Sequence, residues 1–309
     1  MKRKVLVTGG AGFIGSHLVD ALVARGDMVR VIDDESTGKK ENLIPVMSRI
    51  EYIKGSVTDR ELLKEVCKDV EVVFHLAAIG SVPRSVAEPE PSHDATATGT
   101  LNVLWAAKEA SVKRVVFSSS SSVYGDDPTL PKVETLLGRV LSPYALQKKM
   151  AEEYTLLFSK LYGLETVALR YFNVFGPRQD PQSQYAALIP KFIEDMKAGK
   201  QPTVNGDGSA SRSFTFVTDV VAANIAASES ADAVGEAMNI GGSARTTVNQ
   251  FVEALNIILG TSITPIYGPP RAGDIPHSMA DLSKAGRLIG YEPKVSFEEG
   301  LKITVDSFT

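Results

Sequence analysis

A single cysteine, Cys67, stands in 309 residues, which excludes a disulfide framework and any metal centre built from cysteines. It falls in the helical pattern Glu61-Leu-Leu-Lys-Glu-Val-Cys67, so a buried structural thiol is expected. Histidine is scarce as well: His17, His75, His93 and His277 stand apart, with none of the spacings that hold a metal, and no metal site is expected. No apolar run reaches the roughly 18 residues of a membrane span. The apolar run after the positively charged start breaks at Gly9-Gly10, too early for a signal peptide, so a cytoplasmic protein without a membrane partner is expected. Basic runs are missing beyond Lys2-Arg3-Lys4 and the formal net charge is -4, which leaves nucleic acid without an electrostatic footprint. Internal repeats and low-complexity tracts are absent.

What is present is ordinary globular material, 43% hydrophobic and 23% charged, with enough apolar mass for a large core. Strand-like runs recur at 4–8, 28–33, 50–54, 70–75, 114–118 and 165–170, separated mostly by helical patterns. Such alternation predicts an α/β fold, a doubly wound parallel sheet of the Rossmann kind, because each crossover must return over the sheet. After about Asn173 the regularity fades into Pro and Gly clusters, which suggests a smaller mixed α/β substrate-binding cap. Helical patterns at 187–198, 219–230, 247–259 and 283–289 supply its body. The expected division is residues 1–173 for the nucleotide-binding domain, with 215–262 returning to it, and 174–309 mainly for the cap.

The most informative segment runs Lys4-Val-Leu-Val-Thr-Gly-Gly-Ala-Gly-Phe-Ile-Gly15 into a helical pattern ending at Arg25. A strand that feeds a glycine turn and then a helix brings backbone amides up to a pyrophosphate at the positive end of the helix dipole. Gly10, Gly12 and Gly15 fit Gly-x-Gly-x-x-Gly, and Gly9, Gly12 and Gly15 fit the wider spacing. A second strand ends in Asp33, eighteen residues after Gly15. A carboxylate there accepts from ribose hydroxyls and repels a 2′-phosphate, with Asp34 and Glu35 adding to the repulsion, so the cofactor expected is NAD.

Tyr144 and Lys148 stand four apart near the start of a helical pattern over 143–162, which puts phenol and ammonium on one face. A cation beside a phenol, joined by a positive nicotinamide ring, favours the phenolate and makes Tyr144 a candidate proton acceptor. The serine run 118–122 ends a strand, where open parallel sheets place their ligand crevice. Hydroxyls there suit proton transfer. A serine nucleophile would want a Gly-x-Ser-x-Gly elbow and a downstream histidine base, and neither surrounds this run.

These residues resemble the extended short-chain dehydrogenase/reductase family, and within it the nucleotide-sugar 4-epimerases. The likeness spans nearly the whole chain and rests on Thr8-Gly-Gly-Ala-Gly-Phe-Ile-Gly15, His75-Leu-Ala-Ala78, Ser118-Ser-Ser-Ser-Ser-Val-Tyr-Gly125, Tyr144-x-x-x-Lys148 and Arg170-Tyr-Phe-Asn-Val-Phe-Gly-Pro-Arg178. The resemblance implies catalytic roles for Ser120, Tyr144 and Lys148. It implies cofactor contacts at Gly9, Gly12, Phe13, Ile14, Gly15, Asp33, Ser56, Val57, Leu76, Ala77 and Ala78, and at Tyr144 and Lys148. Substrate contacts are implied at Gly80, Ser81, Ser120, Ser121, Ser122, Tyr144, Asn173, Gln179, Ala187, Arg212, Arg271, Asp274 and Ser278. Arg212 and Arg271 would clamp a diphosphate, since guanidinium forks match its oxygens. A retained NAD, a UDP-sugar substrate and a homodimer are implied, the dimer paired through helices 94–109 and 143–162 with Leu104, Trp105, Leu156 and Leu157 on their outer faces.

Sugar dehydratases and decarboxylases of this family resemble the epimerases but carry an Asp-Glu pair or a Glu before Val-Tyr-Gly, where this chain has Ser121 and Ser122. The small residue Ser278 stands where epimerases restricted to plain hexoses resemble one another in having a tyrosine. With Gly80, Ser81, Asn173, Gln179 and Ala187 it resembles the wall of the UDP-N-acetylglucosamine 4-epimerases, and UDP-glucose could still enter. A UDP-glucuronate 4-epimerase is the alternative enzyme. A regulator that senses NAD(H) is the alternative outside catalysis, but such proteins typically lack the tyrosine and lysine. Two departures stand out: Ser56 occupies a position after the third strand that is commonly aspartate, and Ser213 follows Arg212 where aspartate is usual.

Overall fold

The computed structural model describes residues 2–180, 188–269 and 276–308. Ala187, Arg271 and Asp274, named from the sequence, lie outside the described residues.

The chain opens with β1 (Lys4–Thr8), α1 (Phe13–Arg25), β2 (Met28–Asp33), β3 (Ile50–Lys54), α2 (Arg60–Val66) and β4 (Val72–His75). It continues through α3 (Val82–Ala87), α4 (Pro89–His93), α5 (Gly99–Glu109), β5 (Arg114–Ser120), α6 (Pro143–Tyr162) and β6 (Glu165–Tyr171). These six strands and a seventh, Glu236–Ile240, form one sheet in the order Glu236–Ile240, β6, β5, β4, β1, β2, β3. Every pair in it is parallel. The strand order reverses where β1 lies between β2 and β4. That reversal opens the crevice beyond the strand ends in which such sheets hold ligands.

Strands β1, β2, β4 and β5 are buried almost throughout, as a parallel sheet covered on both faces requires, while the edge strand β3 is partly exposed. One face packs Leu18, Leu22 and Val220 over Val5, Val7 and Val31. The other packs Leu63, Val103 and Phe158 over Leu6, Val73 and Val115. Cys67 is buried in that second cluster, and burial pushes its thiol up to about 12. A third core joins Phe175, Phe192, Phe216, Phe251 and Leu301, and the side chains of Phe13 and Ile14 pack against it. The first turn of α1 is therefore shared between the sheet and the C-terminal half of the chain.

Helix α6 begins where Ser142 accepts from the Ala145 amide and Pro143 fits the first turn, and it ends at the left-handed Gly163. The helical pattern over 94–109 is interrupted: Asp94–Thr98 is a π-helical turn between α4 and α5. Leu104, expected on the outer face, is fully buried, and Leu156 packs partly into the core. Adjacent residues point about 100° apart on a helix, so Leu104 and Leu156 cannot share the direction of Trp105 and Leu157, which are exposed. Among the described residues no helix is long and apolar enough to cross a membrane.

Candidate active site

The glycine turn between β1 and α1 is shaped by contacts that tolerate no side chain. Gly9 takes φ +69°, and a Cβ there would lie 2.7 Å from the Ala77 nitrogen. At Gly15 a Cβ would lie 2.1 Å from the Gly9 carbonyl oxygen. Gly12 is the N-cap of α1 and offers no side-chain acceptor, so the first amides of the helix, including those of Phe13 and Ile14, face outward uncapped. This is an anion cradle. At its flank the Asp33 carboxylate accepts from the Ala11 amide at 2.9 Å and the Glu35 amide at 2.8 Å. Burial raises its pKa, and the two amides offset part of that rise. These features fit a dinucleotide: open amides for a pyrophosphate and a preset carboxylate for a ribose.

The residues beyond β3 and β4 border the same cradle. Ser56 accepts from the Thr58 amide at 3.2 Å and from its hydroxyl at 2.9 Å, while Val57 is buried and its carbonyl accepts from Asn102. Leu76, Ala77 and Ala78 follow His75 at the end of β4. The imidazole bridges two threonines, with Nδ1 2.7 Å from the Thr8 hydroxyl and Nε2 2.9 Å from that of Thr100. Because Thr100 donates to the Thr96 carbonyl, its oxygen accepts from Nε2–H, and Nδ1 accepts from Thr8. The Thr8 oxygen then accepts from the Ala77 amide at 3.2 Å. Burial, reinforced by the Lys148 charge, lowers the His75 pKa to about 3, so the ring is a neutral strut that fixes the 76–78 turn. Spacing arguments do not reveal this bridge, since its members come from three elements.

Across the crevice α6 presents Tyr144 and Lys148. The Tyr144 phenol lies beside the Ser120 side chain, which acts to lower its pKa. Ser120 accepts from the Ser122 amide at 3.1 Å, which leaves its own proton to donate to the phenol oxygen, the direction that favours a phenolate. Loss of water around the phenol is nevertheless the larger effect and raises its pKa. Lys148 Nζ donates to the Ser118 carbonyl at 2.7 Å and lies 4.9 Å above the Phe117 ring, and burial lowers its own pKa to about 7.

The remaining candidates surround this pair unevenly. Gly80 is exposed in the loop after β4, with open space where a Cβ would stand, and Ser81 caps α3 by accepting from the Arg84 amide. Ser121 and Ser122 open a short 3-10 turn, and the Ser122 hydroxyl oxygen is buried with no partner among the described residues. Asn173, at φ 38°, donates to the Ser213 carbonyl at 3.1 Å. Gln179 donates to the Val174 carbonyl, and its amide oxygen is buried with no partner among the described residues. Arg212 is steered by the carbonyls of Ser211 and Pro276, each 3.0 Å from Nη1, while the Ser213 hydroxyl turns to the Gly242 carbonyl. Two backbone oxygens thus do the orienting that an aspartate would do. Ser278 lies on the strand His277–Ser278, in register with Arg212.

A second set of tethers escaped the sequence reading. Asp20 on α1 pairs with Arg178 at 2.7 Å, His17 Nε2 lies 3.0 Å from the Pro177 carbonyl, and Lys39 pairs with Asp180 at 3.2 Å. They strap the segment after Phe175 to both sides of the glycine turn. Only the string Gly176-Pro177-Arg178, already notable for its likeness to family sequences, could have pointed to it.

A doubly wound sheet with a glycine cradle at one side of its crevice and a serine–tyrosine–lysine set at the other defines an enzyme of the short-chain dehydrogenase/reductase type. Residues 5–241 match the NAD dependent epimerase/dehydratase family, and the chain belongs to that family. It is similar to the UDP-glucose 4-epimerase of Mycolicibacterium smegmatis, 38% identical over 309 residues that cover 99% of this chain and 98% of that protein. Among solved structures it is similar to the UDP-N-acetylglucosamine 4-epimerase from Methanobrevibacter ruminantium in complex with UDP-N-acetylmuramic acid. That likeness is 44% identical with TM-score 0.95, covering 100% of this chain and 99% of that one. It is also similar to the UDP-glucose 4-epimerase from Thermotoga maritima with UDP-glucose, 42% identical with TM-score 0.94, covering 99% and 98%.

Proposed function

We propose that this chain inverts C4 of a UDP-hexose through a transient 4-keto sugar, with UDP-N-acetylglucosamine and UDP-N-acetylgalactosamine as the preferred pair. The observation that carries the reading is the placing of Tyr144 beside Ser120, with Lys148 one turn further along α6 and anchored on the Ser118 carbonyl, at the strand ends beside the glycine cradle. When bound, NAD supplies a hydride acceptor that becomes the donor in the return step. Gly9, Gly12, Phe13, Ile14 and Gly15 would hold its pyrophosphate, Asp33 a ribose, and Ser56, Val57 and the 76–78 turn its flanks.

Tyr144 takes the proton of the sugar 4-hydroxyl and later gives it back, with Ser120 holding the phenol oxygen in line. Lys148, one turn along α6 and anchored on the Ser118 carbonyl, would hold the nicotinamide side of the crevice beside this pair. Asn173 and Arg212 hold the nucleotide diphosphate. Gly80, Ser81, Ser121, Ser122, Gln179 and Ser278 line a wall small enough for the sugar ring to turn over. Arg271, Asp274 and Ala187 belong to the same proposal on sequence resemblance alone. Binding energy placed on the nucleotide leaves the sugar free to present either face.

The small side chain of Ser278 and the open space at Gly80 leave the room that an N-acetyl group needs, which is what the proposed preference rests on. The test is to supply purified enzyme with UDP-N-acetylglucosamine, UDP-glucose and UDP-glucuronate separately and follow each 4-epimer by chromatography. Turnover of UDP-glucose or UDP-glucuronate without the acetylated sugar would defeat the preference. The exposed Trp105 of α5 and Leu146, Met150, Leu157 and Leu161 of α6 form an apolar stripe suited to a second copy of this chain, and a monomer in sedimentation would exclude the homodimer.

A further inference from the structure

Tyr144, Lys148 and Glu152 follow one another at one-turn spacing along a single face of α6. Each touches a different member of three consecutive serines on β5. Tyr144 meets the Ser120 hydroxyl, Lys148 donates to the Ser118 carbonyl at 2.7 Å, and Glu152 accepts from the Ser119 hydroxyl at 2.6 Å. The lowest rung is the firmest. Glu152 is 1% exposed, and the Arg170 guanidinium grips its carboxylate with a fork, Nη2 to Oε1 at 2.6 Å and Nε to Oε2 at 3.0 Å. Arg170 is fixed in turn by donating to the Tyr124 hydroxyl at 3.0 Å and the Glu134 carbonyl at 2.9 Å. Tyr124 donates to Asn239 on the strand Glu236–Ile240 at 2.6 Å.

A buried ion pair is a poor source of stability, because desolvation consumes most of its attraction, and apolar side chains of equal volume would hold α6 to the sheet as well. A forked pair does supply a single allowed register, which apolar packing leaves loose. We infer that Ser119 and Glu152, with Arg170 behind them, are positioning residues that set the height of Tyr144 and Lys148 over β5. The inference rests on the role proposed above for Tyr144. It accounts for a buried carboxylate and a buried serine that the proposed proton transfer itself does not use.

The experiment compares Ser119→Ala and Glu152→Gln with the parent enzyme in steady-state kinetics on whichever of UDP-N-acetylglucosamine and UDP-glucose is turned over faster. Circular dichroism and thermal melting confirm the folded fraction at the assay temperature. Ser119→Ala removes only the rung between α6 and β5 and leaves the ion pair whole, so it tests the inference even if Glu152→Gln does not fold. The expected result is a fall in kcat of about tenfold for Ser119→Ala and about a hundredfold for Glu152→Gln, with KM within about twofold, since misplacement taxes the reacting geometry rather than nucleotide binding. An unchanged kcat in folded Ser119→Ala, a loss that appears in KM alone, or a loss equal to the unfolded fraction would overturn it. Tyr144→Phe is run alongside. If that variant keeps full turnover, the proposed role of Tyr144 falls; if it is inactive while Ser119→Ala matches the parent, the positioning inference alone falls.

Discussion

Lys148 Nζ lies 2.7 Å from the carbonyl oxygen of Ser118, in a setting that otherwise offers it the face of the Phe117 ring. An ammonium so enclosed is costly to keep charged, which is why burial lowers its pKa from 10.5 to about 7. Below pH 7 the lysine is charged in both folded and unfolded chains, and the folded chain bears the full cost. Between pH 7 and 10.5 the folded chain sheds a proton that the unfolded chain keeps, so this cost fades as pH rises. Lys148→Met of the NAD-free protein is therefore expected to melt higher than the parent below pH 7, with the advantage shrinking toward pH 10, while catalysis is lost. Calorimetry across that range checks it, and a gap that stays constant with pH would refute it.

Tyr144→Phe removes the proposed proton acceptor and leaves the ring in place. Turnover should fall by about 10² to 10⁴-fold, the range for loss of a general acid–base group. Binding of UDP measured by calorimetry should be unchanged, because the diphosphate contacts lie elsewhere. Ser120→Ala should cost less, since the phenol keeps its position and loses only the neighbouring hydroxyl that favours its ionised form. A Ser120→Ala variant more damaged than Tyr144→Phe would reverse the assignment of roles.

The parts of this architecture that could be read from sequence are those written in local spacing. The glycine turn, Asp33 at the end of its strand and Tyr144 with Lys148 on one helix face each lie within a stretch whose period or composition declares the geometry. The edge strand Glu236–Ile240 was harder, because it follows a region where apolar periodicity had lapsed, and only pairing with β6 reveals it. Harder still were the contacts that fix the site. His75 joins Thr8 and Thr100, Glu152 joins Ser119 and Arg170, and Asp20 joins Arg178. Polar partners far apart in the chain leave no periodic trace, since each alone reads as a surface residue. The burial of Tyr144 is illegible for a related reason: it depends on the whole fold, and in the protein without a dinucleotide it raises the phenol's pKa.

The cradle predicts its own fragility. Gly15→Ala puts a methyl 2.1 Å from the Gly9 carbonyl oxygen, so the turn must open or the helix must shift. NAD content after purification is expected to drop to a minor fraction of the parent's, measured by acid release and absorbance. Gly199→Ala is the control, since its left-handed φ of +69° carries the strain alone, with open space around a Cβ and no tie to the crevice. Equal NAD content in the two variants would mean that the turn is not the pyrophosphate cradle.

Asp33 should govern which dinucleotide is accepted. Its carboxylate is held by the Ala11 and Glu35 amides, which point its remaining capacity toward the crevice, and its charge repels a 2′-phosphate. Asp33→Asn removes the charge while keeping an acceptor for one amide. NAD affinity should weaken by about tenfold or more, in line with roughly 1.5–3 kcal/mol for a hydrogen bond to a charged group, and NADP affinity should rise. Fluorescence titration with both dinucleotides measures the ratio, and a selectivity that does not move would place the ribose elsewhere.

The proposed substrate preference can be tested at Ser278. It stands beside Arg212 in the register of a parallel strand pair and is half-buried, so a larger side chain there has room to project from the strand and no core to enter. A small residue at such a wall admits both plain and N-acetylated sugars, because a roomy pocket rejects a smaller ligand only weakly, by about 10 to 200-fold per lost methylene-sized contact. A bulky residue acts asymmetrically: it collides with the larger substituent and leaves the smaller untouched. Ser278→Tyr is therefore expected to lower kcat/KM for UDP-N-acetylglucosamine by two orders of magnitude or more, on the order of the steric discrimination such pockets reach, while UDP-glucose changes within a few-fold. Competition assays with both nucleotides in one vessel give the ratio directly. If both activities fall together the tyrosine has merely damaged the site, and if neither moves the acetyl group does not lie against this strand; either result removes Ser278 from the specificity wall.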